Sequence, residues 1–148
     1  MNDNGLILVC SKCGTKNRVP VSRIDEAPKC GKCGDSLPVD VLSRPINVMD
    51  STFDKEVLAS SLPVLVDCWA PWCGPCRAVG PILDALAVKY RARLKIVKLN
   101  VDENPGIGSR YSISSVPTMF LVKNGRIIDT LTGALPKEQL ESQIARIL

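Results

Sequence analysis

The chain has 148 residues, 45% hydrophobic and 23% charged, with a formal net charge of +4. That balance describes one ordinary globular core plus a small appendage and excludes a disordered chain. Seven cysteines accompany no histidine, which excludes Ser-His and Cys-His hydrolases, His-ligated zinc and CxxCH haem attachment.

The opening stretch "MNDNGLILVCSKCG" has no basic n-region and only a short apolar run. It reads as neither a signal peptide nor a membrane span. An odd cysteine count fits poorly with a secreted disulfide framework, so the expected home is the reducing cytoplasm, where thiols serve metals or redox chemistry.

Residues 1–42 hold four cysteines and few large apolar side chains. Such a segment cannot bury enough surface to fold unaided and needs a staple. Cys10, Cys13, Cys30 and Cys33 form C-x2-C-x16-C-x2-C, the spacing of a tetrahedral zinc site. Each C-x-x-C folds into a knuckle that aims two sulfurs at one point, and Gly14 and Gly34 follow where a left-handed backbone suits only glycine. A closed shell of four thiolates leaves no position for substrate, so one structural Zn²⁺ per chain is expected. Two disulfides or free thiols are the alternative. Lysines and arginines decorate this ribbon, but acidic residues interrupt them and no aromatic interleaves for stacking, which argues against nucleic acid.

"LSRPI" at 42–46 reads as the joint, because Pro45 holds Arg44 extended; residues 43–45 form the linker and 46–148 the larger domain. There, strand and helix patterns alternate. "INV" is a short strand, and "DSTFDKEVLAS" starts a helix with Asp50 or Ser51 as its cap. "PVLVDCWA" is a strand covered on both faces. "PCRAVGPILDALAVKYRAR" is a helix with a kink expected at Pro81, followed by the buried strand "LKIVKLNV". "NPGIGSRYS" is a short helix or turn. "TMFLVKNGRIIDTLTG" is a hairpin turning at Asn124-Gly125, and "PKEQLESQIARIL" closes the chain as an amphipathic helix with Pro136 at its first turn. The order makes an α/β sandwich with mixed strand directions.

The third thiol pair, in "WCGPC" at 72–76, stands apart. It follows a buried strand and opens the long helix, so Cys73 faces the positive helix end, where a thiolate is favoured. Trp72 before it and Gly74-Pro75 after it leave the first sulfur presentable, with Cys76 behind. These two thiols can close into a small disulfide and reopen; a two-coordinate metal site is the alternative. Asp67, six residues earlier inside an apolar strand, is costly to bury and should titrate high. It could accept the proton of Cys76, with Lys98 in the adjacent strand as its charge partner; an Asp facing water at the strand end is the alternative.

"VDCWAPWCGPC", "KLNVDENP", "SVPT", "KNG" and "TGALPKEQL" together resemble the thioredoxin family over roughly residues 46–148, and the ribbon in front resembles its zinc-containing thioredoxin 2 type. The resemblance implies a thioredoxin fold, a central mixed sheet flanked by helices, behind a small zinc ribbon. It implies a cis Val116-Pro117 bond beside the thiols. The backbone there and at Thr132-Gly133-Ala134 would pair with an extended substrate, and Trp69, Trp72 and Gly74 would complete the rim. It further implies reduction of disulfides in oxidised client proteins, with reloading by an NADPH-dependent thioredoxin reductase; nothing in the sequence demands more than a monomer. No nucleotide fingerprint appears, so no bound nucleotide is expected. One residue departs from the family pattern. Cys68 stands where a bulky aromatic is usual, and is expected to be an inert small hydrophobe; a seventh thiol able to form a regulatory or aberrant disulfide is the alternative. A redox-switched zinc module and a thioredoxin-fold chaperone or scaffold are the rival functions.

Overall fold

In the computed structural model, which describes residues 5–39 and 43–148, two sheets divide the chain. The first four residues and Leu42 of the expected joint lie outside that description. Strands β1 (Gly5–Val9) and β2 (Lys16–Pro20) pair antiparallel around the first cysteine knuckle. A 3-10 helix at Val21–Glu26 leads to the second knuckle. Leu6, Leu8, Val19, Ile24 and Leu37 make a small core with Cys10 and Cys30. That core is not closed by the ribbon alone. Ala92 is buried in it and Leu62 packs against it, while Arg91 donates to Asp25 at 2.7 Å. Five apolar side chains cannot outweigh the chain entropy of such a segment, so the ribbon borrows surface from the larger domain.

The larger domain is a five-stranded sheet in the order β3-β5-β4-β6-β7. Strands β3 (Ile46–Val48), β5 (Lys95–Asn100) and β4 (Val64–Trp69) run parallel, and β6 (Thr118–Lys123) and β7 (Arg126–Thr132) form the antiparallel hairpin. The hairpin turns at Asn124 and Gly125, both at positive φ, as the Asn-Gly pair demands. Alternation along β4 sorts its side chains between two cores. Leu65 faces the layer built by α1 (Gly74–Lys89) and α3 (Lys137–Ile144), with Leu83, Leu86, Leu140 and Ile144. Val64, Val66 and Cys68 face the opposite layer, with Phe53, Ile107 and Phe120. Glu141 of α3 accepts the Tyr90 hydroxyl at 2.8 Å and pairs with Lys89, fastening α3 to the end of α1.

Two local expectations give way to tertiary contacts. The helix over 50–60 is only a π-type turn at Asp54–Leu58, without a side-chain cap. Asp50 instead caps a different helix, α2 (Pro105–Arg110), accepting the N–H groups of Gly106 at 2.9 Å and Ile107 at 2.8 Å. Pro81 lies inside α1 without ending it.

Candidate functional site

The dithiol stands where β4 hands the chain to α1. Cys73 is the N-cap of α1, and its Sγ accepts the Cys76 N–H at 3.2 Å. Pro75 occupies the first turn, where its missing N–H costs nothing. Cys73 and Cys76 are joined by a disulfide. The expectation of a presented first sulfur and a hidden second is not met in this oxidised form. Cys73 is 3% exposed and Cys76 5%, because both pack in one cluster with Ala70, Trp69, Val101 and Val116. What distinguishes them is the helix-tip hydrogen bond, which only Cys73 receives.

Around the pair the chain forms a rim. Trp72 is 68% exposed and its Nε1 donates to Asp102 Oδ2 at 3.0 Å. Gly74 and Pro75 are exposed, and nothing stands within 4 Å of the place a Gly74 side chain would occupy. The Val116-Pro117 bond is cis, and the Pro117 carbonyl accepts the N–H of Gly133 at 2.9 Å. That bond brings Thr132, Gly133 and Ala134 beside the proline, Gly133 turning at φ 90°. Two rim-supporting residues escaped the sequence reading. Asp102 is 30 positions from Trp72. Arg77 directly follows Cys76, and its guanidinium donates to the Pro71 carbonyl at 2.8 Å, tying the turn to the helix. Neither bond has a sequence signal: the β4–β5 pairing brings Asp102 to Trp72, and the Arg77 bond is a local one set by how the turn enters α1.

Asp67, Trp69 and Lys98 share one sheet face. Asp67 pairs in register with Lys98 on β5, and it has the same parity as Leu65, on the side that α1 covers. It is 1% exposed with no hydrogen-bond partner for either oxygen, so the strand-end Asp facing water is set aside. Burial pushes its pKa up to about 6, and Lys98 only partly opposes that. Among the described residues no ion pair joins the two. The Lys98 ammonium lies 5.2 Å from the Trp69 ring centroid instead. Cys68, on the other face, is fully buried, and burial first and the Asp67 charge second push its thiol up to about 12. That thiol stays protonated at neutral pH.

The second site is in the ribbon. The sulfurs of Cys10, Cys13, Cys30 and Cys33 all lie within 4.8 Å of one another, with Cys10–Cys33 and Cys13–Cys30 at 3.6 Å. Four thiolates at about 2.3 Å from one ion sit roughly 3.8 Å apart, so the donor set fits a tetrahedral metal. Gly14 and Gly34 adopt φ 76° and 78°, as the knuckles require.

A helix-capped dithiol on a mixed sheet, beside a cis proline and with a buried carboxyl on the strand that leads into it, is the arrangement of a dithiol–disulfide oxidoreductase. Residues 44–146 match the family model described as Thioredoxin, and residues 9–35 the one described as Thioredoxin 2, N-terminal. The chain belongs to the thioredoxin family, and its ribbon places it with the zinc-containing thioredoxin 2 type. It is 52% identical over 101 residues to "Thioredoxin 1" of Synechococcus elongatus, covering 68% of this chain and 94% of the relative. Against "Thioredoxin 1" of a Nostoc species it is 49% identical over 107 residues, 72% of this chain and all of the relative. A chloroplastic M-type thioredoxin of Chlamydomonas reinhardtii is 42% identical over 130 residues, 88% of this chain and 93% of that protein. The chain is accordingly a thioredoxin-type disulfide oxidoreductase. No described helix is long and apolar enough to cross a membrane.

Proposed function

We propose that Cys73 attacks client disulfides and that Cys76, with Asp67 as its base, completes the exchange. The observation that carries this reading is the Cys76 N–H aimed at the Cys73 sulfur at the start of α1. A charge on that sulfur is stabilised by both the hydrogen bond and the helix end. In the reduced protein the Cys73 thiolate attacks one client sulfur, forming a mixed disulfide and expelling the other as thiolate. Cys76 then passes its proton to Asp67, attacks Cys73 and releases the second client thiolate. The client gains two electrons and the pair becomes the disulfide observed. Gly74-Pro75 adds no charge to stabilise the thiolate further, which supports a donor of electrons over an oxidant.

The exposed Trp72, Gly74 and Pro75, with Trp69, Val116, Pro117 and Thr132-Gly133-Ala134, are assigned to client binding, the backbone at 116–117 and around 132–134 pairing with an extended segment. Lys98 is assigned to modulating Asp67. The partners are oxidised proteins and an NADPH-dependent thioredoxin reductase, and the compartment is the cytoplasm. Residues 1–42 are assigned as the ribbon and 46–148 as the catalytic body, joined through 43–45. The metal is assigned as one structural Zn²⁺ on Cys10, Cys13, Cys30 and Cys33, which when bound cross-links the knuckles and supplies folding energy to the ribbon.

The test is turbidimetric reduction of a disulfide-linked protein with NADPH and thioredoxin reductase, before and after chelation. Turnover is expected in both samples, at rates within about twofold, since the ribbon core meets the body at Leu62 and Ala92, not at the thiol cluster. Amide dispersion over residues 5–39 is expected to collapse on chelation. No turnover in the zinc-loaded sample would contradict the reading. Turnover lost only on chelation would favour the redox-switched module.

A further inference from the structure

We propose that Asn17, which donates no ligand atom, latches the two cysteine knuckles together and sets how long the ribbon keeps its metal. This rests on the reading of the four cysteines as a metal site. Asn17 lies on β2, half-buried, and its side-chain amide acts in two directions. Its Oδ1 accepts the N–H of Gly31, inside the second knuckle, at 2.9 Å. Its Nδ2 donates to the Thr15 carbonyl at 3.0 Å. The same carbonyl accepts the Cys10 N–H at 2.9 Å, closing the first knuckle.

The remaining hydrogen bonds show why this bridge matters. Each knuckle is closed by its own backbone: Gly14 to Cys10 in the first, Gly34 to Cys30 and Cys30 to Asp35 in the second. Among the described residues these bonds stay within their own knuckle. The other crossings are the sulfur pairs Cys10–Cys33 and Cys13–Cys30, which a metal itself would bridge. Each knuckle therefore aims its own two sulfurs, and the shared apolar core packs the knuckles together without direction. Before the metal binds it is the Asn17 bridge that supplies a directional hydrogen bond between the two pairs. A tetrahedral shell tolerates ligand errors of only about 0.2 Å, and outer partners of metal ligands are typically worth about ten- to a hundredfold in affinity.

The chemistry of the side chain is specific. Aspartate would keep the acceptor for Gly31 but turn an oxygen towards the Thr15 carbonyl, and alanine would keep neither bond. In the full-length protein loaded with one equivalent of Zn²⁺, metal transfer to a chromophoric chelator is expected to run about ten- to a hundredfold faster in Asn17→Ala, with Asn17→Asp between. The exposed neighbour variant Lys16→Ala should stay within about twofold of the wild type. Hydrogen exchange supplies the readout that general loosening would not give. The Gly31 amide should lose protection in Asn17→Ala and keep it in Asn17→Asp, while the β1–β2 amides exchange as before. Metal transfer unchanged in Asn17→Ala, or exchange accelerated throughout β1 and β2, would overturn the latch. A wild-type chain that takes up no metal would overturn the site reading, and this inference with it.

Discussion

Substituting Cys73→Ser is expected to reduce protein-disulfide turnover by on the order of a thousandfold or more, to the level of the uncatalysed exchange. A serine hydroxyl stays protonated at neutral pH, neither nearby thiol can take over the attack, and the ribbon thiols are assigned to the metal. Cys68 is fully buried on the far face of the sheet, its thiol held protonated by burial. Cys76 does not receive the helix-tip hydrogen bond, which its own N–H gives to Cys73. The companion variant Cys76→Ser should behave differently. Its Cys73 can still attack, but release fails, so a mixed disulfide with a client accumulates and can be seen by mass. If Cys73→Ser retained client protection or binding as its main activity, a scaffold would describe the molecule better.

Asp67→Asn is expected to make the protein more stable and slower at once. The folded carboxyl titrates at about 6 against 3.8 for the exposed group. Ionising it in the folded protein therefore costs about 3 kcal/mol at the conventional 1.36 kcal/mol per unit. The native state holds the proton more tightly than the unfolded chain, so stability is greatest below the unfolded value. It falls as pH rises from about 4 through about 6 and is level above that. Asparagine resembles the neutral carboxyl at every pH. The variant should match the wild type near pH 3.5 and exceed it by about 3 kcal/mol at pH 8, read from urea midpoints. Loss of the base should slow mixed-disulfide release near pH 7. Because an unassisted thiol is already a few per cent ionised there, that loss is limited to roughly thirtyfold. Equal stability of the two proteins at pH 8 would mean that the carboxyl is not the unpartnered buried group seen here.

What the sequence discloses follows the range of the forces involved. The thiol pairs were legible because their chemistry depends on local spacing: two residues between sulfurs, a glycine after each knuckle, a helix start behind Cys73. The hairpin was legible for the same reason, Asn124 and Gly125 specifying their turn alone. Asp67 announced itself as a charge inside an apolar run. Asp50 was legible as a cap but not as the cap of α2, because its partners Gly106 and Ile107 arrive through the β3–β5 pairing. Trp72–Asp102 is likewise a product of the assembled fold, whereas Arg77–Pro71 is local but depends on the geometry of the turn, which no residue pattern encodes. The helix expected over 50–60 shrank to Asp54–Leu58 once tertiary packing of Phe53 and Val57 set its length. Nor could spacing reveal that Leu62 and Ala92 complete the ribbon core. Equal coverage of Cys73 and Cys76 is a property of the oxidised pair, which periodicity does not encode.

The claim on which the rest depends is that the α1 N-terminus keeps the Cys73 sulfur ionised. Its most direct measurement is the rate of Cys73 alkylation by iodoacetamide across pH in the reduced protein, with Cys76 replaced by serine. The midpoint should fall below the value of about 8.5 found for free cysteine, with rapid modification at neutral pH. A midpoint above 9, with a sulfur inert at pH 7, would contradict the account.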